Sequence, residues 1–391
     1  MYIHRILENP IRNEMNQYPI VAVLGPRQSG KTTIVRACFP TVPYLNLEDL
    51  DTRMLAIQDP RGFLSGLSKG AIIDEVQRVP DLFSYLQTHV DKTHETGQFI
   101  LTGSQNFLLM ENITQSLAGR VSLFKLLPAS LEELLVLSSF SSLEEALFKG
   151  GYPILYQREL NPSRWYQNYL ETYVEKDVRQ IQSVEDLGQF SLFIRLCAGR
   201  IGQLLNLSSL ANDCGITHTT AKRWISILEA SFIIFLLRPY HKNFGKRLVK
   251  MPKLYFYDTG LASALLGIQE SPQLLTHASR GALFENLVIT EIVKHKHNHQ
   301  KSLECYFWRD NTGNELDCLI ENRDSIIALE IKSGKTINRD FFKGLQYWEK
   351  LNENQLSKKS LIYGGETQSQ YQGVDVIPWL NMAEFLKKTI I

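Results

Sequence analysis

Gly25-Pro26-Arg27-Gln28-Ser29-Gly30-Lys31-Thr32 follows the apolar run Ile20-Val21-Ala22-Val23-Leu24 and leads into Thr33-Ile34-Val35-Arg36-Ala37. A strand, then G-x-x-x-x-G-K-T, then a helix is the context in which this octapeptide cradles phosphate. The glycines let the backbone turn tightly and keep side chains away from the anion. Successive N–H groups and the helix N-terminus then face it. This predicts a nucleotide-contacting set running from Gly25 through Pro26, Arg27, Gln28, Ser29, Gly30, Lys31 and Thr32 to Thr33, with ATP as the ligand. Lys31 would reach the β- and γ-phosphates, and Thr32 would ligate Mg2+.

Two further segments complete a hydrolysis chemistry. Gly70-Ala71-Ile72-Ile73-Asp74-Glu75 is an apolar strand ending in two carboxylates. Asp74 can hold the magnesium shell, and Glu75 can polarise an attacking water. The competing reading is an acidic cap on the helix that Pro80-Asp81 starts. Gln98-Phe99-Ile100-Leu101-Thr102-Gly103-Ser104 is another strand, ending in hydroxyls. In a parallel sheet, ligands bind beyond the carboxyl ends of the strands, so Thr102 or Ser104 would arrive beside the γ-phosphate. Gly119-Arg120 precedes a fifth strand, Val121 to Leu126.

A second constellation lies near the C-terminus. Glu330 and Lys332 sit two apart in Ile326-Ile327-Ala328-Leu329-Glu330-Ile331-Lys332, so they share one strand face. Asp317 begins the preceding strand after Trp308-Arg309 ends another, and Glu285 lies on an amphipathic helix opening at Ser279-Arg280. The alternative is an edge strand with solvated charges.

These residues need elements to hold them. Residues 1–127 alternate strands with helical patterns, which predicts a parallel sheet covered on both faces. Ser130 with Glu133 reads as a capping box opening a helical stretch, 128–195. Gly150-Gly151-Tyr152-Pro153 breaks that stretch, and Trp165, Tyr169, Leu170 and Tyr173 recur on one face as core. Residues 196–268 read as helix-turn-helix plus wing: a helix from Asn206, a turn at Cys214-Gly215-Ile216, a helix from Thr219, then strands Ile233–Pro239 and Lys253–Tyr257. Between Ala211 and Lys253 there are eight Lys or Arg against two acids, so DNA is the expected partner of this module. Lys222, Arg223, Lys242, Lys246, Arg247 and Lys250 would touch phosphates. Packing between subunits is the alternative use. Residues 269–391 form the last domain.

The order of phosphate loop, Asp-Glu strand, polar strand and Arg before the fifth strand resembles an AAA+ ATPase. Gly25-Pro26-Arg27-Gln28, Asp74-Glu75-Val76-Gln77-Arg78-Val79-Pro80 and Leu101-Thr102-Gly103-Ser104 resemble a bacterial and archaeal AAA+ group with a C-terminal domain of unknown function. The resemblance implies an α/β core with a helical lid, homo-oligomers, Lys31 and Thr32 as Walker A, and Asp74 and Glu75 as Walker B. It makes Thr102 or Ser104 the sensor and Arg120 a finger acting on a neighbour's nucleotide. Arg164 and Arg179 are candidates for a lid sensor. The C-terminal constellation resembles the PD-(D/E)XK restriction-endonuclease-like superfamily. That resemblance implies a second divalent metal on Asp317, Glu330 and Glu285, with Lys332 orienting or activating water; some members of the superfamily bind without cutting. The expected protein is an ATPase that drives its C-terminal modules on nucleic acid. The alternative is an ATP-gated protein-binding switch whose C-terminal modules serve assembly.

Composition bounds the rest. At 391 residues, two or three domains can each bury a core. A formal net charge of +1 excludes a global polyelectrolyte character, so charge acts locally. Five cysteines without C-x-x-C spacing argue against a zinc ribbon and fit a reducing compartment. Met1-Tyr2-Ile3-His4-Arg5 lacks a signal-peptide apolar run, and Phe232–Leu237 is far too short to span a bilayer. We therefore expect a cytoplasmic protein with no membrane partner. His295, His297 and His299 read as a solvated polar loop, not a metal site.

Overall fold

The computed structural model describes residues 2–67, 69–104, 116–137, 140–173, 184, 186–240, 249–322, 325–351 and 357–390. They form two compact units, one built on Met1–Ala129 and the other on most of the chain from Ser130 onward.

In the first unit, five strands pair in the order β2-β3-β4-β1-β5. They are β1 (Ile20–Leu24), β2 (Tyr44–Asn46), β3 (Ala71–Asp74), β4 (Phe99–Gly103) and β5 (Val121–Lys125). Every pairing is parallel. The inner strands β1, β3 and β4 are buried at every position, which is why they read as unbroken apolar runs. The edge strand β5 tolerates Ser122 and Lys125 because one side of it is uncovered. Ile34, Val35 and Cys38 of the helix Lys31–Cys38 pack against Val21, Val23, Ile72 and Phe124. The strand order sets β4 between β1 and β3, so the ends of all three converge.

The second unit carries an eight-stranded mixed sheet in the order β12-β13-β11-β10-β9-β8-β6-β7. The strands are β6 (Ile234–Pro239), β7 (Lys253–Phe256), β8 (Glu304–Arg309), β9 (Glu315–Asn322), β10 (Ser325–Lys332), β11 (Ser357–Tyr363), β12 (Ser369–Tyr371) and β13 (Val374–Pro378). Strand pairing runs across the boundary expected at 268/269. The two wing strands extend the larger sheet, because β6 pairs in parallel with β8 through Arg238 and Pro239. The physical reason is the edge: β8 has backbone groups to satisfy, and β6 satisfies them. Tyr240, just past β6, shares one core with Trp308, Leu345 and Trp348.

The helical stretch after Ser130 belongs to the same unit. Its capping box forms as expected, with Ser130 and Glu133 reciprocally bonded. Asp258 ties the Gly150-Gly151 break to the end of β7, accepting from Gly151 N at 2.6 Å and from the Tyr166 hydroxyl at 2.6 Å. Gly150 has φ +65°, and a Cβ there would run into Asp258 and Tyr166. The aromatic stripe packs inward, with Tyr169 and Tyr173 buried, Trp165 and Leu170 half-buried, and Trp165 stacked on Tyr169. The histidine run is not the loop that its polarity predicts. His295 and His297 lie on the helix Arg280–Asn298, and His295 is buried. Among the described residues, no helix is long and apolar enough to cross a membrane.

Candidate functional site

The phosphate loop leaves β1 at Gly25, where a Cβ would overlap the Leu126 carbonyl. Gly30 has φ +96° and caps the helix Lys31–Cys38, with open space where a Cβ would stand. Both positions therefore require glycine for different reasons, crowding at the first and a left-handed backbone at the second. Lys31 Nζ donates to the carbonyls of Gly25 at 3.0 Å and Pro26 at 2.8 Å. Its ammonium thus lies over the loop. Ser29 is buried and donates to the Pro26 carbonyl, while Gln28 and Thr33 are exposed and Arg27 is half-buried. The loop has a brace that no motif predicted. Arg5 is buried and donates to the carbonyls of Ser29 at 2.9 Å and Leu127 at 2.8 Å. Nothing in its sequence neighbourhood marks it, since its partners are distant backbone atoms.

Asp74 ends β3 beside this loop. Its Oδ2 accepts from the Thr32 hydroxyl at 2.7 Å and the Tyr44 hydroxyl at 2.6 Å. Its Oδ1 accepts from the Thr102 hydroxyl and, at 3.1 Å, from the Glu75 backbone N–H. Thr32 and Asp74 thus present two adjoining oxygen donors, the ligand chemistry that magnesium takes. Tyr44 is a second residue that sequence missed. Burial, with the Asp74 hydrogen bond and charge, keeps its phenol protonated well above the usual range.

Glu75 is left-handed, at φ 55° and ψ 42°, although it is not glycine. Such backbone costs about 1–3 kcal/mol and persists where the surroundings over-determine it. Here its Oε2 accepts from Ser104 Oγ at 3.1 Å and from Gln77 Nε2. The two sensor candidates therefore divide the work, Thr102 holding Asp74 and Ser104 holding Glu75. Arg120 is elsewhere. Its carbonyl accepts from Ile20 N–H at the start of β1, the opposite end from the loop. Its guanidinium pairs with Asp91, Nε to Oδ1 at 2.5 Å and Nη2 to Oδ2 at 2.9 Å. It does not approach the phosphate loop of its own chain. Arg164 lies on the helix Pro162–Tyr173 in the other unit; Arg179, like Lys242, Lys246 and Arg247, falls outside the described residues.

The second unit gathers the C-terminal constellation at the ends of β7, β9 and β10. Lys332 Nζ is 2.7 Å from Glu330 Oε1 and 3.2 Å from Asp317 Oδ2. Asp317 Oδ2 also accepts from the Ile331 N–H at 2.8 Å. Glu285 reaches in from its helix and accepts from the Tyr255 hydroxyl at 2.5 Å. Lys253 and Glu315, neither of them expected, complete the group. Lys253 is 3.0 Å from Glu285 Oε1 and contacts Glu315 Oε1. The acids are held in two lysine-bridged pairs. Among the described residues, no three of these carboxylates offer oxygens within 4.8 Å of one another. Glu330 Oε2 is buried with no hydrogen-bond partner. Burial and the neighbouring Asp317 charge push the Glu330 carboxyl up to about 8. Carboxylate oxygens with one orphaned atom are the donor type a hard divalent ion takes, although Lys253 and Lys332 lie between the acids and three carboxylates do not converge.

Asp310 anchors the hairpin that carries Glu315 and Asp317. Its Oδ1 accepts from the N–H groups of Thr312 and Asn314, at 2.9 and 3.0 Å, and Oδ2 from Tyr347 at 3.1 Å. Burial raises its pKa, but these hydrogen bonds outweigh that and depress it to about 2. Asp310→Ala strands these donors and should cost about 1–3 kcal/mol of unfolding free energy in urea. An unchanged midpoint would mean the hairpin holds its shape without Asp310.

Comparison with known proteins divides the chain into three matched segments. Residues 17–135 match the family described as AAA domain, residues 140–272 a domain of unknown function, DUF8612, and residues 280–382 another, DUF4143. Uncharacterized proteins of Mycobacterium tuberculosis and Mycobacterium bovis are each 30% identical over 363 residues, covering 91% of this chain and 79% of theirs. An uncharacterized protein of Methanocaldococcus jannaschii is 23% identical, covering 82% and 77%. Among solved structures, the Walker-type ATPase of Pyrococcus abyssi aligns with 68% of this chain and 96% of its own, at 16% identity and TM-score 0.43. A STAND ATPase with a tetratricopeptide repeat sensor from Pyrococcus horikoshii aligns with 75% and 46%, at 13% identity and TM-score 0.31.

Proposed function

This chain belongs to the same family as its mycobacterial relatives and carries a P-loop domain of the AAA type ahead of DUF8612 and DUF4143 regions; from that premise we propose that it hydrolyses ATP and uses the cycle to act on nucleic acid. The observation that carries the ATPase reading is the convergence of Lys31, Thr32, Asp74, Glu75 and Ser104 at the carboxyl ends of the inner strands of a parallel sheet. The loop N–H groups and Lys31 hold the phosphates, so Lys31 gives up its two carbonyls for phosphate oxygen. Thr32 and Asp74 would hold magnesium, which would supply charge neutralisation at the phosphates. Glu75 orients the attacking water, and Ser104 keeps its carboxylate in place. Arg120 completes a neighbour's site in a homo-oligomer.

In the second unit, Asp317, Glu330 and Glu285 would hold a divalent ion, which would activate a water for attack on a phosphodiester. Lys332 orients that water or the phosphate. The basic segment around Lys222, Arg223 and Lys250 supplies the backbone contacts. One observation favours a second reading. Both pairs of acids are already bridged by a lysine, as in a module that binds without cutting, which would suit an ATP-gated protein-binding switch.

Gel-shift and cleavage assays on single-stranded, duplex and branched DNA, with and without ATP and magnesium, separate the two. Asp317→Ala should remove metal binding and cleavage together. Lys332→Ala should spare metal binding and remove cleavage. ATP turnover with no binding to any of the DNAs would overturn the nucleic-acid reading in favour of the switch.

A further inference from the structure

Lys253 belongs to no motif, yet it stands at the centre of the acid cluster. It starts β7 within the segment matched to DUF8612, whereas Glu285, Glu315, Asp317 and Glu330 all lie in the segment matched to DUF4143. Its side chain is 3% exposed. The ammonium contacts one oxygen of Glu285 and one of Glu315, and the Phe307 ring lies 5.4 Å away. The backbone gives it little freedom. Lys253 pairs with Leu237 of β6 on one side and bridges to Leu204 on the other.

The charges in the cluster can be counted. Four carboxylates, the ammonium groups of Lys253 and Lys332 and the Arg309 guanidinium, 3.2 Å from Glu315 Oε2, sum to −1 when all are ionised, so a single divalent ion already exceeds the charge left over. A buried carboxylate pair stays ionised only beside a cation, and a lysine is one that cannot diffuse away. The other pair, Asp317 with Glu330, is bridged by a more exposed lysine, and Glu330 Oε2 has no partner. That oxygen lies against Gly344, where a Cβ would come within 2.5 Å of it. The two halves of the cluster therefore differ: one is filled by a fixed cation, and the other has an oxygen to spare.

We propose that Lys253 is a resident counter-cation that competes with divalent metal for Glu285 and limits this cluster to a single ion. The proposal rests on the reading that Asp317 and Glu330 bind metal. It also makes the wing strand part of the metal site, so any displacement of β7 would change metal affinity.

The test is calorimetric titration of the nucleotide-free full chain with Mn2+, taking Glu330→Gln as the blank. Wild type should take up one Glu330-dependent ion. Lys253→Met should bind at least about tenfold tighter or take a second ion, because one opposing charge has gone from a site of low dielectric. Mn2+ should also raise the thermal midpoint of the variant more than that of wild type, and Lys253→Arg should behave as wild type. If Lys253→Met does not fold, Lys253→Met with Glu315→Gln removes one charge of each sign, so a gain in affinity then reads Glu285 set free. Equal affinity and stoichiometry in wild type and folded variant would overturn the proposal and leave the metal reading standing. Binding in Lys253→Met but not in wild type would uphold the competition and overturn the metal reading for the resting protein. No binding in either would overturn both.

Discussion

Glu75→Gln should bind ATP as wild type does and turn it over about 10²–10⁴-fold more slowly. The amide keeps the shape and the Ser104 contact but loses the charge that polarises water. Lys31→Ala should fail one step earlier. Lys31 touches phosphate in the ground state, so its loss weakens nucleotide binding about tenfold to a hundredfold. The pair is informative because the two residues lie in one site and fail differently. Fluorescent-nucleotide titration and phosphate release measure the two steps. Wild-type turnover in Glu75→Gln would remove Glu75 from the chemistry and leave its left-handed backbone as a feature of the turn alone.

Arg120→Ala should cut turnover by about 10³–10⁵-fold with little change in nucleotide affinity, the range for a finger that stabilises transition-state charge. The argument is geometric. Arg120 sits at the opposite end of the sheet from its own phosphate loop, so it can reach only a nucleotide held by another copy. To do so it must leave Asp91, a surface ion pair of small energy. Mixing Arg120→Ala with Lys31→Ala protein should restore activity, because each contributes what the other lacks. No restoration, together with turnover proportional to enzyme concentration down to monomer, would confine Arg120 to its pairing with Asp91.

The fold of the first unit was legible because its signals are local. A parallel strand buried on both faces is apolar throughout, and a phosphate loop needs glycine at fixed spacing. The chain from Gly25 to Thr32 carries both. Asp74 and Glu75 were legible for the same reason, standing at the end of such a strand. The capping box at Ser130 and the turn at Gly215 are also contacts within a few residues.

What lay beyond the sequence was set by contacts between distant segments. Arg5 braces the loop through backbone carbonyls, and any residue has a carbonyl, so no pattern of types could reveal it. Tyr44 reads as an ordinary strand residue until β2 is placed beside β3. The histidine run reads as a loop because its polarity is local, while the helix that carries it is held by packing earlier along its length. The wing strands looked like a module because a hairpin is self-contained in sequence, and only the free edge of β8 decided that they extend a larger sheet. Lys253 is the sharpest case. Its charge was visible, but its partners were not, since Glu285 and Glu315 come from a helix and a strand far along the chain. The sequence by itself determined where the phosphate-loop glycines, Lys31 and the strand-end carboxylates stand, because those depend on residue type and short spacing. Tertiary structure alone decided which charges oppose one another in the buried cluster, because burial makes each ionised group depend on whichever cation the fold brings to it.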